Sequence, residues 1–345
     1  MGFLMTPLYN LFGWLTRILF AFFGNYGMAI IMLTVIIRLA LVPLNLKSQK
    51  SMIKMQALSS KSAELQRKYG DDKQKYQEEL MKLQQENGAG GLSGCLLPIL
   101  QIFFIWPIYR IVSGPLIYLS QVSKENVQAM IDMAQEQGLA ENAARFTVEN
   151  HIKLIDILNS NSDFLAECIS KGFIRMGQLL DLNFMGIDLT QTPAWNPVTI
   201  ISDPLTYIPL LIFPLLVILT SIISMRMANW LKPGYKEQKE AKERQKNNPA
   251  RAGQVQQDQA EMTAKMMTWM MPALMLVTTF SLPAAMGLYW VVGGIMGILT
   301  QLLTYFLFTK PYELKKAEME IKKAEVFKKN SADKDEKHKK NKKKK

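Results

Sequence analysis

Hydrophobic and polar positions are segregated along this chain of 345 residues into long uncharged runs and strongly charged segments. Residues 266–308 carry no charged side chain over 43 positions, and residues 27–46 carry a single charge at Arg38. A helix at the surface of a soluble protein keeps one polar face for water, so uncharged runs of this length are typical of helices in a bilayer. The pattern predicts an all-α polytopic membrane protein.

The apolar runs predict five membrane-spanning helices that form a helical bundle. One crossing needs about 20 apolar residues, so the run 266–308 is twice too long for a single helix. Pro283 divides it, because proline cannot continue a helix. Gly293 and Gly297 form a small-xxx-small pair that predicts close helix packing. The predicted spans are residues 26–46, 95–119, 205–225, 266–282 and 284–308.

The charges of the connecting segments predict how the spans are oriented. Residues 47–94 contain nine Lys and Arg against six acids, residues 226–265 nine against five, and the tail 309–345 fifteen against seven. Residues 120–204 reverse the balance, with five against eleven. Because basic loops stay in the cytoplasm, the N-terminus and the acidic segment 120–204 are predicted outside and the C-terminus inside.

Residues 1–25 precede the first span and are predicted to form a helix that lies in the outer membrane interface. Arg17 and Asn10 leave a partly polar face opposite Leu, Phe and Trp side chains, as in an interfacial amphipathic helix. The stretch lacks the basic start and the small-residue cleavage site of a signal peptide. An uncleaved sixth span is the alternative interpretation.

The segment 47–94 is predicted to be a cytoplasmic helical hairpin. Its mostly apolar positions recur every three or four residues up to Tyr69, the pattern resumes at Tyr76 after Gly70-Asp71-Asp72, and each arm is otherwise highly charged. The hairpin either only connects two spans or is a docking surface for cytosolic partners, and the pattern favours neither. The recurring positions are Met55, Leu58, Ser62, Leu65, Tyr69, Tyr76, Leu80 and Leu83.

Residues that carry metal binding or covalent catalysis are scarce. Two cysteines, Cys95 and Cys168, and two histidines, His151 and His338, are too few for a disulfide framework, a zinc or haem site, or a serine triad. A Cys168/His151 pair is conceivable, but both are interpreted as ordinary loop or helix residues. We therefore expect no enzyme, no metal and no cofactor.

Arg38 is the candidate functional residue of the first span. It lies roughly 13–15 Å from either end of the run at 1.5 Å per residue, too deep to reach an interface. The predicted spans contain no Asp or Glu to neutralise it. It either packs against backbone carbonyls or lines a hydrated, positively charged cavity that attracts an acidic polypeptide or an anion. Thr34 lies one turn earlier on the same face.

Three stretches of the chain resemble the YidC/Oxa/Albino family of membrane protein insertases. They are GNYGMAIIMLTVIIRLALVPLNLKSQKSMIKMQAL at 24–58, GCLLPILQIFFIWPIYRI at 94–111 and SLPAAMGLYWVVGGIMGILTQ at 281–301. T-x-x-x-R, a proline, a Lys-rich hairpin, G-C-L and G-L-Y-W follow one another in the order typical of the family. Matching segments cover residues 24–120 and 184–308, which is most of the chain.

The resemblance implies that the protein inserts nascent membrane proteins into the bacterial plasma membrane and helps them fold, alone or beside the Sec translocon. It also implies a hydrophilic groove that is open to the cytoplasm and centred on an arginine. Nascent membrane proteins, the translocon and membrane lipids are the implied partners, and a monomer is expected. The side chains implied to line the groove are Arg38, Thr34, Thr220, Ser224, Tyr289 and Trp290.

Two further hypotheses concern the tail and a different function. The tail 309–345 is too charged to fold alone, and it either tethers ribosomes through ribosomal RNA or sets topology and touches anionic lipids. The main alternative function is an anion or small-molecule transporter with Arg38 in its substrate site. A transporter predicts internal repeats and paired ionisable residues along a path, and neither is found in the sequence.

Overall fold

The computed structural model describes residues 2–69, 72–87, 93–139, 147–231, 235, 239–240, 243, 259–319 and 321–322 and is predominantly helical. The helices of the first half are α1 Gly2–Phe23, α2 Tyr26–Ala57, α3 Ser59–Tyr69, α4 Lys73–Glu86, α5 Ser93–Ser113, α6 Pro115–Tyr118, α7 Lys124–Glu136, α8 Ile152–Ser160 and α9 Ser162–Ser170. A 3₁₀ turn at Met176–Gln178 and a two-stranded antiparallel hairpin of β1 Asn183–Phe184 and β2 Ile187–Asp188 follow. The last elements are α10 Pro197–Ser202, α11 Pro204–Leu210, α12 Ile212–Trp230, α13 Gln259–Thr279, α14 Ala284–Thr304 and a π-helical turn at Tyr305–Thr309.

Among the described residues, three helical stretches are long and apolar enough to cross a membrane. They are Tyr26–Ser51, Pro204–Trp230 and Ala284–Met319, in the places of the predicted first, third and fifth spans. The helices α5 and α13, with 21 residues each, stand in the places of the other two. The prediction of a helical protein with membrane-spanning helices is confirmed, and the number of five spans stays a prediction.

The helix boundaries differ from the predicted ones mainly at α2. The predicted first span ends at residue 46, but the helix continues through Pro43 to Ala57. Its 32 residues extend over about 48 Å, which exceeds a hydrocarbon core of about 30 Å. Part of the predicted hairpin segment is therefore a continuation of the first helix. The break near Pro283 lies between the end of α13 at Thr279 and the start of α14.

The chain divides into two compact units. The first unit comprises Met1–Asn45, Cys95–Arg226 and Gln256–Leu299, and the second comprises Leu46–Gly94, Met227–Val255 and Thr300–Lys345. In the second unit α3 and α4 pack against each other, with the Ser62 and Tyr76 hydroxyl oxygens 3.4 Å apart. Most of the predicted loop 226–265 and the Lys-rich part of the tail lie outside the described residues.

Segment 120–204 contributes a folded layer to the core of the first unit. Buried apolar side chains of α7 and α8 share a core with the start of α2 and the end of α5. The Tyr26 hydroxyl donates a hydrogen bond to the carbonyl of Val112 at 2.9 Å, which joins α2 to α5. Backbone carbonyls of Gln191 and Leu189 accept hydrogen bonds from the first amides of α14, which otherwise lack partners inside the helix.

The small β-hairpin departs from the predicted all-α fold, and its position is close to the start of α2. Met185 and Gly186 form its turn with positive φ values of 53° and 80°. The ring of Phe184 packs against Gly27 so closely that a side chain at position 27 would overlap it. Asn25 donates from its side-chain amide to the carbonyl of Asn183 at 3.2 Å. Segment 120–204 thus holds the start of the first span.

Candidate functional site

The Arg38 guanidinium lies against the glycine-containing face of α14. Its Nη2 atom is 2.7 Å from the position that a Cβ atom at residue 293 would occupy, and Cζ and Nε are 3.4 Å from it. Tyr289, which is only 4% exposed, is an electrostatic neighbour of the guanidinium. Because Gly293 has no side chain, the guanidinium can lie directly on the backbone of α14, one turn beyond Tyr289.

The charge of Arg38 has a neutral neighbour instead of a counter-ion. Within the described part of the chain, no carboxylate oxygen lies within 4.0 Å of its guanidinium. A charged side chain inside a bilayer costs on the order of 2.5–3.5 kcal/mol on insertion scales, so it tends to face other polar groups or water. A hydroxyl group compensates this charge only in part, and an acidic group brought near would interact with the guanidinium more strongly.

The predicted groove threonines are buried and make hydrogen bonds within their own helices. Thr34 is 1% exposed, and its hydroxyl donates to the carbonyl of Ile30 at 2.7 Å. The Thr220 hydroxyl donates to the carbonyl of Leu216 at 2.7 Å. Each hydroxyl therefore has its proton engaged in its own helix, and its oxygen can still accept a hydrogen bond.

A second close approach joins α12 to α14. The Thr220 Oγ1 and Cβ atoms lie 2.9 and 3.0 Å from the position of a Cβ atom at residue 294. Adjacent glycines of α14 therefore receive one side chain from α2 and one from α12. The signal for this arrangement is the Gly293-Gly294 pair inside an apolar span, of which the sequence analysis assigned Gly293 but not Gly294 to close packing.

Ser224 and Trp290, the other predicted site residues, are half-buried. Ser224 follows Thr220 by one turn of α12, and Trp290 packs against the core beside Tyr289. The structure thus brings together Arg38 with Tyr289, and separately Thr220 with α14. Close packing at Gly297, predicted from the small-xxx-small spacing, is not found, because no described atom lies within 4 Å of a Cβ atom built there.

His151 and Cys168 are both buried, and neither has the surroundings of a reactive group. The backbone N–H of Leu116 donates to Nε2 of His151 at 3.2 Å, so the proton is on Nδ1, which donates to the carbonyl of Val148 at 2.8 Å. Burial lowers the pKa of His151 to about 4. Burial also raises the pKa of the Cys168 thiol to about 11, which disfavours the reactive thiolate. His151 holds segment 120–204 against α6, a role that its isolated position in the sequence did not indicate.

This chain is similar in sequence to known bacterial membrane proteins. A family model described as 60Kd inner membrane protein matches residues 18–311. The membrane protein insertase YidC of Helicobacter pylori is 47% identical over 94 residues, which are 27% of this chain and 17% of that protein. The membrane protein insertase YidC of Wolinella succinogenes is 39% identical over 110 residues, 32% of this chain and 20% of that protein. The chain thus matches about a fifth of the length of these relatives.

A longer match covers most of the chain at lower identity. The membrane protein insertase YidC 2 of Bacillus anthracis is 26% identical over 299 residues, 86% of this chain and 74% of that protein. The part matched by the family model includes α2, α12 and α14, the three helices that supply Arg38, Thr220 and Tyr289.

Proposed function

We propose that this chain, which belongs to the 60Kd inner membrane protein family, inserts hydrophobic segments of nascent membrane proteins into the bacterial plasma membrane. The observation that carries the proposal is an arginine in the middle of a span whose guanidinium has a buried hydroxyl beside it and, among the described residues, no carboxylate. Relatives with this function in their names support it. The proposed activity needs no covalent chemistry, metal or cofactor.

The proposed topology has five spans, with the N-terminus outside and the C-terminus in the cytoplasm. The helices α5 and α13 are the proposed second and fourth spans, beside the three stretches that meet the length and hydropathy of a span. The distribution of basic residues supports the orientation. In this topology α1 lies in the outer interface, and α3 and α4 form a hairpin in the cytoplasm.

The proposed mechanism uses Arg38 to hold an acidic part of the client partway across the membrane. Two unit charges 4 Å apart attract each other by about 4 kcal/mol at an effective dielectric constant of 20. That attraction exceeds the roughly 2.5–3.5 kcal/mol that one acidic residue costs inside a bilayer. An acidic client residue would therefore replace the Tyr289 hydroxyl beside the guanidinium, while the apolar segment of the client enters lipid and gains the free energy of hydrophobic transfer.

The groove that receives the client is proposed to be lined by Arg38, Thr34, Thr220, Ser224, Tyr289 and Trp290. The half-buried positions Arg38, Ser224 and Trp290 are accessible without rearrangement, whereas the two threonines and Tyr289 are buried. Clients would reach the buried groups only when α14 moves relative to α2 or α12. Open space at Gly297, one turn beyond Gly293, is the proposed entry on the same face of α14.

The proposed partners are nascent membrane proteins, the Sec translocon, membrane lipids and, through the Lys-rich tail, ribosomes. Repeated lysines match the phosphate backbone of ribosomal RNA, and such binding weakens steeply with salt. The protein is proposed to act as a monomer that also helps clients fold.

Site-specific photo-crosslinking tests the proposal. A photoreactive residue at Gly297 faces open space beside the arginine site, and one at Ile295, which is 47% exposed on another face of α14, is the matched control. Ribosome-bound nascent chains of a single-span client should crosslink at position 297 while the apolar segment emerges, and the crosslink should fade after insertion. If position 297 never crosslinks to nascent chains and is protected by small anions, the protein is the transporter instead.

A further inference from the structure

A series of exposed apolar side chains, called here the apolar stripe, runs along the chain from the end of segment 120–204 into the third predicted span. Its members follow one another at helical spacings of three or four residues, across the breaks between α10, α11 and α12. All of them are exposed large hydrophobic side chains within the first unit. The stripe consists of Trp195, Val198, Ile201, Leu205, Ile208, Ile212, Leu215 and Leu219.

On α12 this stripe is the side of a span that faces lipid. Leu215 and Leu219 are 64% and 52% exposed, whereas Phe213, Val217 and Thr220 on the other side of the helix are buried in the protein. A helix with one face in the core and an equally apolar face exposed is typical of a span at the edge of a membrane protein. The occupant of this part of the stripe is therefore the hydrocarbon of the bilayer.

The stripe is longer than the hydrocarbon. Pro204–Trp230 has 27 residues, which extend over about 40 Å, against a core of roughly 30 Å. An excess of about 10 Å brings the start of α11 to the headgroup level, and α10 is joined to it there at Asp203. Yet Trp195, just before α10, is 78% exposed, and Val198 and Ile201 on α10 are 73% and 76% exposed. At the headgroup level, exposed apolar side chains can be removed from water by inserting into the membrane surface.

We propose that α10 is a membrane anchor that lies along the lipid interface, with Trp195, Val198 and Ile201 inserted at the boundary between headgroups and acyl chains. Tryptophan is enriched at this depth because its ring is apolar and its N–H is polar. The helix α10 packs against α11, whose exposed Leu205 and Ile208 lead along the chain to the exposed side of α12. The proposed occupant is lipid, because the exposed apolar side chains follow one another from that side to α10.

The anchor would fix the depth of the third span. A span longer than the hydrocarbon otherwise tilts or shifts along the membrane normal at small cost. Because α11 also packs against β2, the anchor would hold segment 120–204 at the membrane surface as well. The inference rests on the placement of the chain in a membrane and not on the proposed insertase activity, so either can fail without the other.

Spin-label accessibility in liposomes tests the anchor in the full chain. Single labels are introduced by Val198→Cys and Ile201→Cys after Cys95→Ser and Cys168→Ala, with Leu215→Cys as the lipid reference. Met185→Cys, at a position 86% exposed in the turn of the β-hairpin, is the water reference. Labels at 198 and 201 should lie between the two references, more accessible to oxygen and less accessible to a water-soluble nickel chelate than position 185, but less deeply placed than position 215. Labels that match position 185, or that are protected from both reagents by a protein partner, overturn the proposal.

A charged substitution tests whether the helix acts as an anchor. With a label at Leu205→Cys, the change Ile201→Asp should raise nickel accessibility several-fold, because a carboxylate would draw α10 out of the acyl region. Asn196→Asp is the matched control, since the Asn196 side chain caps α10 by accepting from the amide of Val198 at 3.0 Å and aspartate can do the same. Equal accessibility in both variants would contradict the anchoring role.

Discussion

Gly293 provides the space in which the Arg38 guanidinium lies, so Gly293→Ala displaces this charge without removing it. A new Cβ atom would be 2.7 Å from Nη2, and ordinary contacts begin at 3.4 Å. The guanidinium must therefore move by at least the difference between these distances. Movement is easy, because Nη2 is the far end of a flexible side chain, and alanine is favoured over glycine in a helix by about 0.8–1.0 kcal/mol. We expect the variant to fold normally.

The expected effect on function follows from the distance between charges. At an effective dielectric constant of 20, lengthening a charge pair from about 4 Å to about 4.7 Å weakens its attraction by about 0.6 kcal/mol, or roughly threefold. Gly293→Ala should lower the insertion of a client with an acidic outer tail by about this factor. Arg38→Ala should lower it much more, since the whole attraction is lost. A client with a neutral tail should insert equally well in all variants.

Reconstituted proteoliposomes allow this measurement. Two single-span clients that differ only in the charge of the outer tail are translated in their presence, and insertion is scored by protection of the tail from protease. Gly177→Ala is the control, because a Cβ atom there meets no described atom within 4 Å and the residue lies outside the proposed groove. If Gly293→Ala impairs both clients equally, or if Gly177→Ala has the same effect, the position of the Arg38 charge does not govern insertion and the reasoning fails.

Three further predictions concern packing, pH and the tail. Gly287→Ala should lower thermal stability in detergent by about 1–3 kcal/mol, because its Cβ would be 2.8 Å from Cβ of Phe213, a rigid atom in the core; an unchanged midpoint would contradict this packing. In the folded protein the pKa of His151 is lowered to about 4, whereas a histidine in an unfolded chain has a pKa of about 6.5. Between these two pH values the unfolded chain binds a proton that the folded protein does not. The free energy of unfolding should therefore fall by up to about 3 kcal/mol as the pH drops from about 6.5 to about 4. Hydrogen exchange of segment 120–204 measures this pH dependence, and His151→Asn should remove most of it. A pH dependence that persists in the variant would show that other groups cause it. Truncation after Pro311 should abolish salt-sensitive co-sedimentation with ribosomes, whereas unchanged co-sedimentation would exclude the tail as a tether.

The apolar runs and their charges determined the class of this protein. Runs of about 20 uncharged residues leave few alternatives to membrane-spanning helices, since unpaired backbone groups are too costly in hydrocarbon. The same reasoning singled out Arg38, because a deep charge without a nearby acid is visible in one dimension. It also located the helix break near Pro283, where a single residue type imposes the backbone geometry.

Contacts between distant parts of the chain were decided only by the tertiary structure. Sequence spacing relates residues within one helix, but the guanidinium of Arg38 meets Gly293 and Thr220 meets Gly294 only because α2, α12 and α14 converge. His151 is likewise buried beside α6, where it accepts a hydrogen bond from Leu116, 35 residues away in the chain. Periodicity predicts which face of a helix is apolar, and it does not predict whether protein or lipid covers that face, because both are equally apolar surroundings. Only the packed structure separates the buried side of α12 from the exposed stripe that continues into α10.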